Sequence, residues 1–117
     1  MSTLEVSNIS DKTTSVPTGY VVNGSAKAWC RFSMVTPAIE GSLNISSITD
    51  SATGHFDINL STDMGDVNYV ATFASNQLHT NNSATPTTST FRMGAYGSSN
   101  SGTDASRSHA AAHGSLA

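Results

Sequence analysis

Cysteine occurs once, proline three times, and charge is sparse: Asp, Glu, Lys and Arg make up 11% of the 117 residues. A lone Cys30 excludes an intrachain disulfide and any multi-cysteine zinc site within one chain. Flanked by Trp29 and Phe32, it reads as a small buried hydrophobe. The cations Lys12, Lys27, Arg31, Arg92 and Arg107 are scattered. Nucleic-acid binding needs them clustered, so no nucleic-acid partner is expected. A net charge of −3 is too small to mark a cationic partner. No apolar run approaches the roughly 18 residues that cross a membrane, so no membrane insertion is expected. Met1–Ser10 lacks the basic-then-apolar layout of a secretory leader. Helical periodicity, heptads and internal repeats are missing too, which leaves a coiled-coil shaft without support.

What remains is rich in hydroxyls and amides, with 20 Ser, 15 Thr and 9 Asn. Such a surface offers uncharged hydrogen bonds to protein or sugar. The length fits one domain, and the pattern is one of short alternating runs cut by turn residues. The expected fold is all-β, a single antiparallel β-sandwich, jelly-roll-like or similar, with an extended N-terminal segment. That segment covers 1–24 with one short strand at Leu4–Asn8, interrupted at Ser15–Gly19 by Pro17. The sandwich covers 25–117.

Within it, Ala26–Met34 alternates Ala28, Cys30 and Phe32 on one face with Lys27, Trp29, Arg31 and Ser33 on the other. Leu43, Ile45 and Ile48 suggest one strand up to Asp50. Ser51–Gly54 forms a hairpin loop, and Phe56, Ile58 and Leu60 alternate along the return strand. Asp63–Asp66 reads as a turn, and Tyr69–Phe73 and Thr90–Tyr96 as strands. Ser75–Ser89, with a short strand near Leu78, and Ser98–Asp104 read as exposed loops. Ser106–Leu116 is Ala-rich, yet a closing strand suits the architecture better than a helix.

Candidate chemistry is thin. His109 and His113 would share a helix face, but on a strand they stand about 13 Å apart, too far for one ion. Asp63 and Asp66 lack the alternating acidic pattern of a calcium loop. Asp50 and Asp57 straddle the hairpin like a glycosidase couple, in a domain with little room for a sugar cleft. No Gly-x-Ser-x-Gly elbow occurs. The five Asn-x-Ser sequons, Asn8 and Asn44 among them, follow from composition. No catalytic residue, metal or cofactor is expected, and the chain is not expected to be an enzyme. Trp29, outward on its strand, is a candidate subunit anchor or glycan-stacking platform. Asn81, Asn82, Ser99 and Asn100 are candidate receptor-facing residues, because loops carry recognition.

Several segments together resemble a known pattern. Gly24-Ser25-Ala26-Lys27-Ala28-Trp29 is followed by Phe32, by Leu43-Asn44-Ile45-Ser46-Ser47-Ile48-Thr49-Asp50, by His55-Phe56-Asp57-Ile58-Asn59-Leu60 and by Asp66-Val67-Asn68-Tyr69. The series resembles a β domain of tail-fibre and other virion proteins of tailed bacteriophages. The opening Ser2-Thr3-Leu4-Glu5-Val6 resembles the short β-segment that precedes it. The likeness runs from Ser2 to Phe73 and departs at Cys30, Arg31 and Met34–Pro37. It implies a structural β-sandwich, often trimeric, in a phage particle assembled in the host cytoplasm, with no catalytic residues. The expected function is therefore a short tail fibre or fibre-like module acting in assembly and host-surface attachment. Its expected partners are copies of itself, other tail or capsid proteins, and a host-surface glycan or protein. A capsid decoration protein and a carbohydrate-binding module are the alternatives.

Overall fold

A computed structural model describes residues 2–117. The chain is an antiparallel β-sandwich carrying an N-terminal arm. In chain order the elements are β1 (Asn8–Ser10), β2 (Ser15–Pro17), α1 (Thr18–Gly24), β3 (Ala26–Ser33), β4 (Ala38–Leu43), β5 (Ile45–Ala52), β6 (His55–Leu60), β7 (Val70–Ser75), β8 (His79–Asn82), β9 (Thr90–Tyr96) and β10 (Ser108–His113). The first sheet runs β4-β3-β10-β7 and the second β5-β6-β9-β8.

The four central strands build the core, because each has a neighbour on both sides and the opposite sheet over its inner face. Ala28, Cys30 and Phe32 from β3 and Ala110 and Ala112 from β10 meet Phe56, Ile58 and Leu60 from β6 and Phe91, Met93 and Ala95 from β9. The Phe32 and Phe56 rings lie 5.8 Å apart across the two layers. Small residues on β10 let that strand run beneath the rings without overpacking. Tyr69 ties the layers by a polar contact, its hydroxyl donating to the Thr87 carbonyl at 2.7 Å.

Two predicted elements fall differently. The expected strand through Leu43 and Ile48 is two strands in two sheets. Asn44, at φ 57°, turns the chain between them. Asn is among the residues that enter that region most readily, and its amide anchors the turn on the Thr62 backbone: it accepts from the Thr62 N–H at 2.7 Å and donates to the Thr62 carbonyl at 3.0 Å. The hairpin loop is also tighter than Ser51–Gly54, since Ala52 already pairs with His55. Gly54, at φ +76°, makes that turn possible. A Cβ there would sit 2.6 Å from the Ala95 carbonyl oxygen. Its N–H instead donates to the Asp104 carboxylate at 2.7 Å.

The arm holds more structure than one strand. Leu4–Ser7 lies outside β1, which pairs with β2 as a hairpin. Asp11 closes that hairpin by accepting from the Thr13 and Thr14 N–H groups at 3.0 and 2.8 Å. Both hydrogen bonds favour the ionised carboxylate, and they hold Asp11 below its ordinary pKa. Pro17 ends the hairpin and starts α1 rather than merely breaking a strand. No side chain caps the N-terminus of α1, and none of its residues is buried. A seven-residue helix has little stability of its own. The arm lengthens the molecule to 51 Å and raises its radius of gyration to 16.2 Å, against about 13 Å for a compact chain of this size.

Candidate binding faces

Strand alternation gives each sheet an outer face, and the sequence fills the two differently. On the first sheet, Trp29 of β3 stands between Leu43 of β4 and Ala111 of β10. Thr72 of β7 completes the row. Trp29 is 44% exposed, and Leu43 and Val70 are exposed as well. The indole leans over Gly41, whose added Cβ would lie 3.6 Å from the ring. Beside it runs a groove of about 460 Å³ lined by Trp29, Arg31, Thr72, Ala74, His109 and Ala111. Arg31 pairs with Glu40 at 3.0 Å on this face.

The second sheet's outer face carries none of the exposed large hydrophobic residues. Its residues bond to one another instead. Asp57 and Arg92 are direct cross-strand partners. The guanidinium Nε and Nη2 donate to the two carboxylate oxygens at 2.6 and 3.2 Å. The carboxylate raises the Arg92 pKa by hydrogen bonding and by its charge. Asn59 donates to the Ser47 and Thr49 hydroxyls, each at 3.0 Å, and accepts from Thr90 at 3.0 Å. His55 Nδ1 faces the Thr53 carbonyl and Nε2 faces the Tyr96 hydroxyl, both at 3.0 Å. A carbonyl can only accept, so Nδ1 carries a proton, and in the neutral ring Tyr96 donates to Nε2. His79 stacks on Tyr96 with ring centroids 5.1 Å apart and planes 13° apart. The Tyr96 ring reaches over Gly94, where a Cβ would come within 3.0 Å of it.

The residues singled out from sequence are dispersed. Asn81 and Asn82 belong to the edge strand β8 rather than to a loop. Asn81 is exposed beside Gly94. The amide orientation that satisfies Asn82 donates to the Ala84 and Arg92 carbonyls at 2.8 and 3.0 Å, which makes it a brace between strands. Ser99 and Asn100 do sit at an exposed tip. Asn100, at φ 58°, shapes it, and its N–H donates to the Gly97 carbonyl at 3.0 Å.

Other candidates resolve into structural roles. His109 and His113 lie four residues apart on a strand, and no group of three metal-ligating side chains gathers among the described residues. The Asp66 carboxylate accepts from the Asn68 N–H at 2.8 Å, an ordinary Asx turn. Asp50 lies opposite Phe56 and Asp57 opposite Thr49, so the two carboxylates stand on different faces of the hairpin. Burial pushes the Cys30 thiol up to about 12, which keeps it protonated and unreactive at neutral pH.

The His55, His79, Arg92 and Tyr96 group was not singled out from sequence. One signal was present. The outward positions of the cleanest strand, His55, Asp57 and Asn59, are all hydrogen-bonding residues. The chain matches no protein-family model, no curated protein and no solved structure.

Proposed function

We propose that the chain is a structural module of a bacteriophage particle, a short tail fibre or fibre-like tail module that works by assembling with copies of itself. The observation that carries this reading is the arm. Leu4 is 85% and Tyr20 71% exposed, with Val6, Ile9, Val16, Val21 and Val22 exposed around them. A hairpin of two three-residue strands and a seven-residue helix are too small to be stable by themselves. Apolar surface of that density marks an interaction site. Seating the arm on a neighbouring copy would bury it and order it together. The exposed Trp29, Leu43 and Val70 offer a second apolar surface for such packing, and a large aromatic is a common interface anchor. The likeness of the Ser2–Phe73 segments to phage virion domains supports the same assignment. The reading gives the chain a mechanical and adhesive role and no chemistry.

A decoration protein of the capsid is the second reading, favoured by one observation. The longest dimension is 51 Å, a short reach for a fibre. The copy number in purified particles separates the two, since a capsid lattice takes hundreds and a tail a few dozen at most.

Light scattering on the purified full chain tests the assembly step. A trimer is expected, and Tyr20→Ser combined with Val22→Ser reduces it to monomer while circular dichroism keeps its strand signature. A wild-type chain that stays monomeric at high micromolar concentration overturns the reading, as does its absence from purified particles.

A further inference from the structure

We infer that the open edge of β7 is a strand-addition site, and that the Ser2–Val6 segment of a second copy pairs there. A sandwich leaves two edge strands per sheet, and each edge offers unpaired N–H and C=O groups to any extended chain. Three of the four edges are blunted by ordinary devices. Strand β4 carries the charged Glu40 at a break in its register with β3. Strand β5 has two such breaks and the charged Asp50. Strand β8 is four residues long. Strand β7 has none of these. It runs six residues in unbroken register with β10, as Val-Ala-Thr-Phe-Ala-Ser, without charge, proline or glycine.

The backbone of β7 defines what fits. Asn76 donates its N–H to the Arg107 carbonyl at 3.2 Å, on the β10 side. Backbone direction alternates along a strand, so Ala71, Phe73 and Ser75 turn their N–H and C=O groups to the open edge. Among the described residues one hydrogen bond reaches these groups, from the Thr80 hydroxyl to the Phe73 carbonyl at 3.4 Å, and a carbonyl has a second lone pair. Ala71 and Phe73 face inward, yet both are only partly buried against the core. Phe73 rests on Phe91 with ring centroids 6.0 Å apart. The edge therefore takes an extended peptide whose alternate side chains are apolar and continue the core.

The arm supplies such a peptide. Ser2–Val6, with sequence Ser-Thr-Leu-Glu-Val, lies outside every helix, strand and turn, and its backbone makes no hydrogen bond among the described residues. Leu4 is 85% and Val6 43% exposed, and they alternate with Thr3 and Glu5. Every strand pairing among the described residues is antiparallel. In that sense Leu4 falls beside Phe73, Val6 beside Ala71, and Glu5 points outward beside Thr72. Five residues reach about 17 Å when extended, against about 20 Å for the six of β7. Within one copy the segment and β7 do not pair. Passing the segment from each copy to the next closes a ring of three. The pairing rests on the self-assembly proposed above and gives the arm its seat. Pairing β7 with β7 about a two-fold axis would leave Leu4 and Val6 bare.

The test is disulfide trapping in the full chain on a Cys30→Ala background, with light scattering on the same samples. Glu5 and Thr72 would form a non-hydrogen-bonded pair, where opposed side chains come closest. Glu5→Cys and Thr72→Cys in one chain should oxidise to covalent dimers and trimers on a denaturing gel, while either substitution alone leaves monomers. Separately, Leu4→Ser and Ala71→Pro should each raise the concentration needed for assembly by about ten-fold. Ala71→Pro removes an N–H from the open edge alone, so the strand signature in circular dichroism and the thermal midpoint of the monomer stay unchanged. A wild-type chain that is monomeric by light scattering overturns the pairing together with the assembly reading. A trimer without the crosslink, a disulfide closed within one chain, or dimers from Thr72→Cys alone overturn the pairing and leave self-assembly standing. So does assembly that survives Leu4→Ser and Ala71→Pro unchanged.

Discussion

The two outer faces are built on the same pleat, over the same interior, and from strands of similar length, yet they are finished in opposite ways. The first sheet turns Trp29, Leu43 and Val70 outward. The second turns out His55, Asp57, Asn59, Arg92 and Tyr96 and bonds them to one another. Folding does not require either choice, since an outward position on a two-layer sandwich only has to tolerate water. Under the proposed assembly, the apolar face left open in one copy is a surface for packing. The polar face bonds its own groups within one copy.

The strongest way to break this comparison is to remove what the faces share. Phe56 is fully buried and meets Phe32 across the layers. Phe56→Ala should lose about 3–5 kcal/mol in denaturant unfolding, with both faces lost together because the sandwich melts as one unit. If amide signals of the first sheet survived while those of the second vanished, the faces would belong to two separable halves.

A middling effect comes from pH and reads the interior layers. Burial raises the Cys30 thiol from 9.0 to about 12 and the Tyr69 hydroxyl from 10.0 to about 12. Both groups are neutral when protonated, and both folded values lie above the unfolded ones. Their contribution is therefore fully present below pH 9, and it is lost as the pH rises through the window up to about 12. Stability should fall by about 1 kcal/mol per pH unit once the unfolded thiol ionises, with Tyr69 adding to the slope from pH 10 upward. Thermal midpoints between pH 8 and 11 check this. Cys30→Ala should remove the part of the decline that begins at 9, and an unchanged slope would assign it elsewhere.

How much of this could be read from sequence depends on whether one strand or two decides the matter. Period-two burial in Ala26–Ser33, His55–Leu60 and Thr90–Tyr96 is a property of single strands, and Cys30, Phe32, Phe56 and Ile58 point inward as their alternation predicts. The break at Asn44 is not a property of one strand. Leu43 and Ile45 look continuous until the second sheet exists to receive β5. Strand β8, with sequence His-Thr-Asn-Asn, carries no apolar alternation, because an edge strand facing water needs none. Helix α1 contains Tyr-Val-Val and two glycines, a composition that argues against helix. The Trp29 face was visible because one residue announces it. The His79–Tyr96–Arg92–Asp57 face was not, since strand pairing assembles it from three segments spread over about 40 positions.

The smallest effect sharpens the comparison most, because each face carries one ion pair. Arg31 and Glu40 on the first sheet have side chains 52% and 45% exposed. Their single 3.0 Å contact competes with solvation on both sides. Asp57 and Arg92 are 24% and 34% exposed and joined by two bonds. The forked geometry adds direction to charge, and partial burial weakens screening. A double-mutant cycle on Glu40→Gln and Arg31→Gln should give close to zero coupling, about 0.2 kcal/mol or less. The matching cycle on Asp57→Asn and Arg92→Gln should give a larger coupling and resist added salt better. Equal couplings would mean that the second sheet's network is ordinary surface charge, and the contrast between the faces would then rest on Trp29, Leu43 and Val70 alone.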